Sequence, residues 1–82
     1  MDKSELFRAL TDFVEGRDQS MANAGRIEVA MDEMYGEKEP FASAVLDLAS
    51  YRPEGGPYLH DAAEMVKILR NVMDVIAEGE SD

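Results

Sequence analysis

The sequence predicts an all-α fold, a single compact bundle of four helices. Three observations lead there: apolar residues recur at the period of a helix face in four separate segments, each segment is bracketed by its own start and stop signals, and no stretch alternates like a strand or carries an Asn-Gly or Asp-Gly turn. With 82 residues there is room for one domain, so residues 1–82 are read as one helical unit with 80–82 as a frayed tail.

In the first segment Leu6, Phe7, Leu10, Phe13 and Val14 share a face, and Arg8, Asp12 and Glu15 take the other side. Asp2 followed by Glu5 is spaced as a capping box, with Ser4 as a rival cap, and Gly16 stands where a helix commonly ends. The spacing predicts a helix over 3–15. The second helix is predicted over 19–35, capped by Asp18 or Ser20, with a stripe of Ala24, Ile27, Met31, Met34 and Tyr35 beside Ala30. Gly25 lies inside it, where glycine costs about 1 kcal/mol relative to alanine. Either another helix packs closely on Gly25, or Asn23-Ala24-Gly25 breaks the segment. The apolar spacing runs on through the glycine, which favours one helix ending at Gly36.

Pro40 suits the first position of a third helix, because its missing N–H would have no helical partner there. Phe41, Ala44, Val45, Leu48 and Ala49 form that stripe, and Pro53 disfavours helical geometry at Arg52, giving a helix over 40–51. The stretch Arg52-Pro53-Glu54-Gly55-Gly56-Pro57 has loop composition. The fourth helix, over 61–78, opens on Asp61 and Glu64 spaced as a capping box. Ala62, Met65, Val66, Leu69, Val72, Met73 and Ile76 follow the helical period, and Ile68 and Val75 widen the face, as burial against more than one neighbour requires. Glu64 and Lys67 are placed to pair on the outside, and Gly79 is expected to close the helix.

Charge excludes several function classes. Eighteen acidic residues face eight basic ones, a formal net charge of -10. Nucleic acids and anionic lipids need a positive footprint, so neither is an expected ligand. No apolar run approaches the roughly 18 residues of a membrane span, and Met1-Asp2-Lys3-Ser4-Glu5 lacks the order of a signal peptide, so the expected location is the cytoplasm. There is no cysteine and one histidine, which removes disulfides and structural zinc.

Nor does a catalytic constellation emerge. His60 beside Asp61 is read as a solvent-facing residue just before a helix, since no nucleophile has a recognisable setting. His60 and Glu64, Glu28 and Asp32, and Glu33 and Glu37 are each four apart, but a di-metal bundle needs a Glu-x-x-His on each of two helices, and no calcium loop is present. Gly55-Gly56 lacks the Lys-Ser/Thr of a phosphate loop. No enzymatic activity, metal or cofactor is expected.

What remains is surface. Glu28, Asp32, Glu33, Glu37 and Glu39 face Lys38 alone, and Glu28 and Asp32 are like-charged neighbours at i and i+4, which mildly weakens a helix. Tyr35 closes this stretch, and aromatics among charges are common interface anchors. An acidic patch for a basic protein and the ordinary surface of an acidic protein both fit. A second candidate is Tyr51, Arg52, Pro53 and Tyr58 around the glycine corner, with the alternative that both tyrosines close the bundle end with their hydroxyls in water. Met31, Met34, Met65 and Met73 sit at core spacing, with an adaptable binding groove as the alternative reading.

The expectation is a non-enzymatic, acidic helical protein-interaction module that binds a basic protein partner. Its candidate contact residues are Glu28, Asp32, Glu33, Tyr35, Glu37, Tyr51, Arg52 and Tyr58. Tyr51-Arg52-Pro53 and Pro53-Glu54-Gly55 give a sharper form. With them, and in size, charge and helicity, the chain is similar to the colicin-type nuclease immunity proteins, although that family's Tyr-Tyr-Pro segment is absent. The resemblance implies an inhibitor of a cationic enzyme. The other class is a structural homodimer or an accessory subunit, motivated by the wide apolar face of the fourth helix.

Overall fold

Four helices follow in order, α1 (Lys3–Val14), α2 (Met21–Tyr35), α3 (Phe41–Ala49) and α4 (Ala62–Glu80), in a computed structural model that describes residues 2–56 and 60–80. Each packs against its neighbour in sequence, and α4 closes the ring against α1, so the bundle is a cycle without diagonal pairs among the described residues. The predicted fold class is the observed one.

Local signals account for the ends. The Asp2 carboxylate accepts the Glu5 N–H at 2.8 Å, which settles the cap of α1 on Asp2 rather than Ser4. Gly16 follows the C-cap with φ +82°, the left-handed turn that favours glycine. Ser20 caps α2 by accepting the Asn23 N–H at 3.1 Å, while Asp18 steadies the Ser20 hydroxyl at 2.6 Å, so the two rival caps act in series. α2 runs unbroken through Gly25.

Three expectations need correction. α3 is shorter than 40–51: Pro40 is its N-cap rather than its first helical residue, and Ser50 is its C-cap. The chain leaves the helix there because Ser50 and Arg52 bond to His60 instead. His60 N–H donates to the Ser50 carbonyl at 3.1 Å and Arg52 N–H to the His60 carbonyl at 3.0 Å, a parallel bridge between Tyr51 and His60. α4 passes through Gly79 to Glu80, since a glycine permits a helix end without imposing one. Glu80, expected to open the frayed tail of 80–82, is instead the last residue of α4; the rest of that tail lies outside the described residues, as does Tyr58.

The core draws on every helix: Leu6, Leu10 and Phe13 from α1, Ile27 and Met31 from α2, Phe41 and Leu48 from α3, Met65, Leu69, Val72 and Ile76 from α4. Each such side chain contributes about 1.5–3 kcal/mol by leaving water. The extra width of α4 is taken up inside the molecule, because Val66, Ile68, Met73 and Val75 all pack against this core.

Two polar residues complete the interior. Asn23 is buried on α2, and its amide donates to the Ala9 carbonyl at 3.2 Å and the Asp18 carbonyl at 2.9 Å, fastening α2 to α1 and to the turn between them. Tyr51 is fully buried with its ring edge-on to Phe13 at 5.2 Å, and its hydroxyl donates to the Gln19 carbonyl at 2.6 Å. Among the described residues, no buried side-chain nitrogen or oxygen lacks a partner.

Candidate functional site

The outer face of α2 holds the most carboxylates of the predicted set. Asp32 and Glu33 are exposed in its last turn, Glu28 is half-buried one turn earlier, and Glu37 is exposed just past the helix end. The chain's cations go elsewhere. Arg17 pairs with Asp12 at 2.9 Å and Glu15 at 2.8 Å, and Arg26 reaches back to Asp18 at 3.8 Å. Among the described residues, none of Glu28, Asp32, Glu33 and Glu37 has an ion-pair partner within the chain. Two of them also oppose the helix dipole, because anions are disfavoured at a helix C-terminus and the last turn of α2 has no basic residue.

Val29 stands in the middle of this face and is 58% exposed. At about 100° per residue, Glu28 and Asp32 fall on one side of the Gly25–Val29 strip and Glu33 on the other. An open groove of about 370 Å³ runs here, lined by Gly25, Arg26, Val29, Ala30 and Glu33. Close helix packing on Gly25, one of the two sequence-based explanations for it, does not occur: a Cβ built there would meet nothing within 4 Å. The sequence reading missed Val29 and Gly25 as site residues. The available signal was that Val29 lies opposite the stripe of Ile27 and Met31.

The two described aromatic members of the predicted set, Tyr35 and Tyr51, are otherwise employed. Tyr35 is half-buried and its ring stacks on Phe41 at 3.7 Å, joining the end of α2 to the start of α3. Tyr51 lies in the core, so neither a surface anchor nor a hydroxyl in water describes it; burial pushes its phenol pKa up. Arg52 is exposed but tied to its own loop, its guanidinium donating to the Tyr51 carbonyl at 2.6 Å. Tyr51 and Arg52 therefore do not join the α2 carboxylates in one patch.

His60 also departs from the solvent-facing role expected of it. Its Nδ1 lies 2.9 Å from Glu64 and its Nε2 3.2 Å from Asp47, so the ring links the start of α4 to α3. The hydrogen bond to Glu64 is the main reason its pKa is raised, opposed by burial and assisted by the Asp47 charge. Glu64 thus takes His60 as its partner, not Lys67. Asp61, its neighbour in sequence, instead caps α4 by accepting the Glu64 N–H at 3.0 Å. The two carboxylates hold opposite nitrogens of one ring and cannot converge on one ion. Among the described residues, no three His, Cys, Asp or Glu side chains are grouped to hold a metal, and no helix is long and apolar enough to cross a membrane.

In comparisons with known proteins, the chain matches no family model, no curated protein and no solved structure. The outer face of α2 is therefore judged on its own geometry. It is the place where exposed apolar surface, a groove and carboxylates without cations coincide.

Proposed function

We propose that the protein is a non-enzymatic interaction module that binds a basic protein partner through the outer face of α2. The observation that carries the reading is the set Glu28, Asp32 and Glu33 around exposed Val29, with no cation among the described residues paired to any of the three. Such a face weakens its own helix through like charges and the dipole, and a cationic partner relieves both effects. An apolar centre with a charged surround also has the anatomy of a protein interface, where the charged rim sets on-rate and salt sensitivity. A cationic enzyme held inhibited is the narrower form of this reading, and it draws on the same carboxylates.

Co-purification at low and high salt tests the reading, with the wild-type chain set against the triple substitution Glu28→Gln, Asp32→Asn and Glu33→Gln. The expected result is a basic protein retained by the wild type at low salt, released at high salt and lost by the triple variant. A chain that retains nothing at either salt, or a partner indifferent to the triple substitution, overturns it.

A further inference from the structure

The row Met21, Gly25, Val29 and Glu33 runs along α2 at intervals of four residues, the spacing that forms a ridge on a helix surface. Met21 is 44% exposed and Val29 58% exposed, with Gly25 between them. The ridge therefore has a notch, flanked by two exposed apolar side chains that are not part of the chain's own core. Among the described residues, nothing packs into that notch. Gly25 has ordinary helical geometry, no neighbour lies within 4 Å of where its Cβ would be, and glycine there costs α2 about 1 kcal/mol relative to alanine. A ridge interrupted by a small residue lets a second helix cross at the short end of the roughly 8–10 Å range of interaxial distances.

We propose that the occupant is an amphipathic basic α-helix of the partner, crossing α2 at Gly25. This rests on the reading of the α2 face given above and specifies how that face is used. One large apolar side chain of the incoming helix fills the notch between Met21 and Val29. Lysine or arginine side chains on its two flanks meet Glu28 and Asp32 on one side and Glu33 on the other. Charge complementarity selects this occupant over a second copy of the chain. The face offers Arg26 as its cation against three carboxylates, so two such faces brought together set six carboxylates against two guanidinium groups.

The test measures binding of two labelled synthetic peptides of identical leucine and lysine content by fluorescence anisotropy at low salt. One has leucines at i, i+3, i+4 and i+7, the helical period; the other alternates leucine and lysine. The wild type is expected to prefer the helical-period peptide by about tenfold, and Gly25→Gln to lose about tenfold or more of that affinity. The thermal midpoint of Gly25→Gln stays level or rises, because the site has space and glutamine is the better helix former. If Gly25→Gln binds as the wild type does while the triple carboxylate variant is weakened, the helix crossing is overturned and the charge-based reading survives. If the triple variant also binds unchanged, both fail. A free chain that sediments as a dimer, and as a monomer once Gly25→Gln is introduced, assigns the notch to a second copy and overturns the proposal.

Discussion

α2 and α4 are the two longest helices and line the same core, but the fold explains the sequence of only one of them. On α4 the apolar residues turn inward, and the exposed side mixes Glu64, Lys67, Arg70, Asp74 and Glu78, both signs interspersed. α2 has an asparagine inside and a valine outside, and it is the least amphipathic of the four helices. Its Asn23 is accounted for by the two backbone carbonyls its amide bonds, those of Ala9 and Asp18. Its Val29, Gly25 and cation-free carboxylates have no comparable account within the chain. Where helix stability alone fails to explain a surface, that surface is where an outside partner should be sought.

The largest expected contrast is between equivalent apolar truncations. Leu69→Ala on α4 should lower the unfolding free energy by about 2–5 kcal/mol, whereas Val29→Ala on α2 should stay within about 0.5 kcal/mol of wild type. Chemical denaturation of both variants checks this, and comparable losses would mean that Val29 belongs to the core. Next comes Asn23→Ala, which removes the buried amide that bonds the Ala9 and Asp18 carbonyls and should cost about 1–3 kcal/mol. Gly25→Ala should go the other way and stabilise by up to about 1 kcal/mol, read as a higher denaturation midpoint.

The start of α4 supplies a pH test. The folded state raises the His60 pKa above its ordinary value, so the unfolded chain releases that proton first as pH rises. The contribution of His60 is present in full below the ordinary value of 6.5 and is lost as pH climbs through the raised folded value. Denaturation midpoints should therefore fall with rising pH across that window, and His60→Gln should flatten this part of the profile. A wild-type profile that rises through the same window would mean that Asp47 and Glu64 do not hold the imidazolium.

How legible the molecule was from its sequence follows the same division. The stripe of α4 and the caps at Asp2 and Asp61 depend on residues a few positions apart, so periodicity and spacing sufficed. Tyr51 lies past the end of α3, where periodicity carries no information, and its depth comes from the bridge to His60 and the Gln19 carbonyl far along the chain. The Glu64 half of the His60 contact was readable as an i, i+4 pair; the Asp47 half required the packing of α3 against α4. At the candidate site the acids were legible as a charge run. Their lack of partners was not, because it depends on Arg17 pairing with Asp12 and Glu15 and on Arg26 reaching back to Asp18.

The smallest expected effect is also the one that ties the two halves of the comparison together. Asp32→Lys replaces a like-charged i, i+4 neighbour of Glu28 with an opposite one and puts a cation in the last turn of α2. Both changes favour the helix, so the variant should be more stable by a few tenths of a kcal/mol, seen as a small rise in the thermal midpoint. The corresponding reversal on α4, Asp74→Lys, sets a lysine four residues before Glu78, the less favourable order for a helical pair, and also four residues after Arg70, a like charge, so it should bring no net gain. If α2 is shaped by a basic partner, the same Asp32→Lys must also weaken binding of that partner, so that stability and affinity move in opposite directions. A variant that gains stability and binds as well as the wild type would return Asp32 to ordinary surface and leave Gly25 and Val29 to define the face.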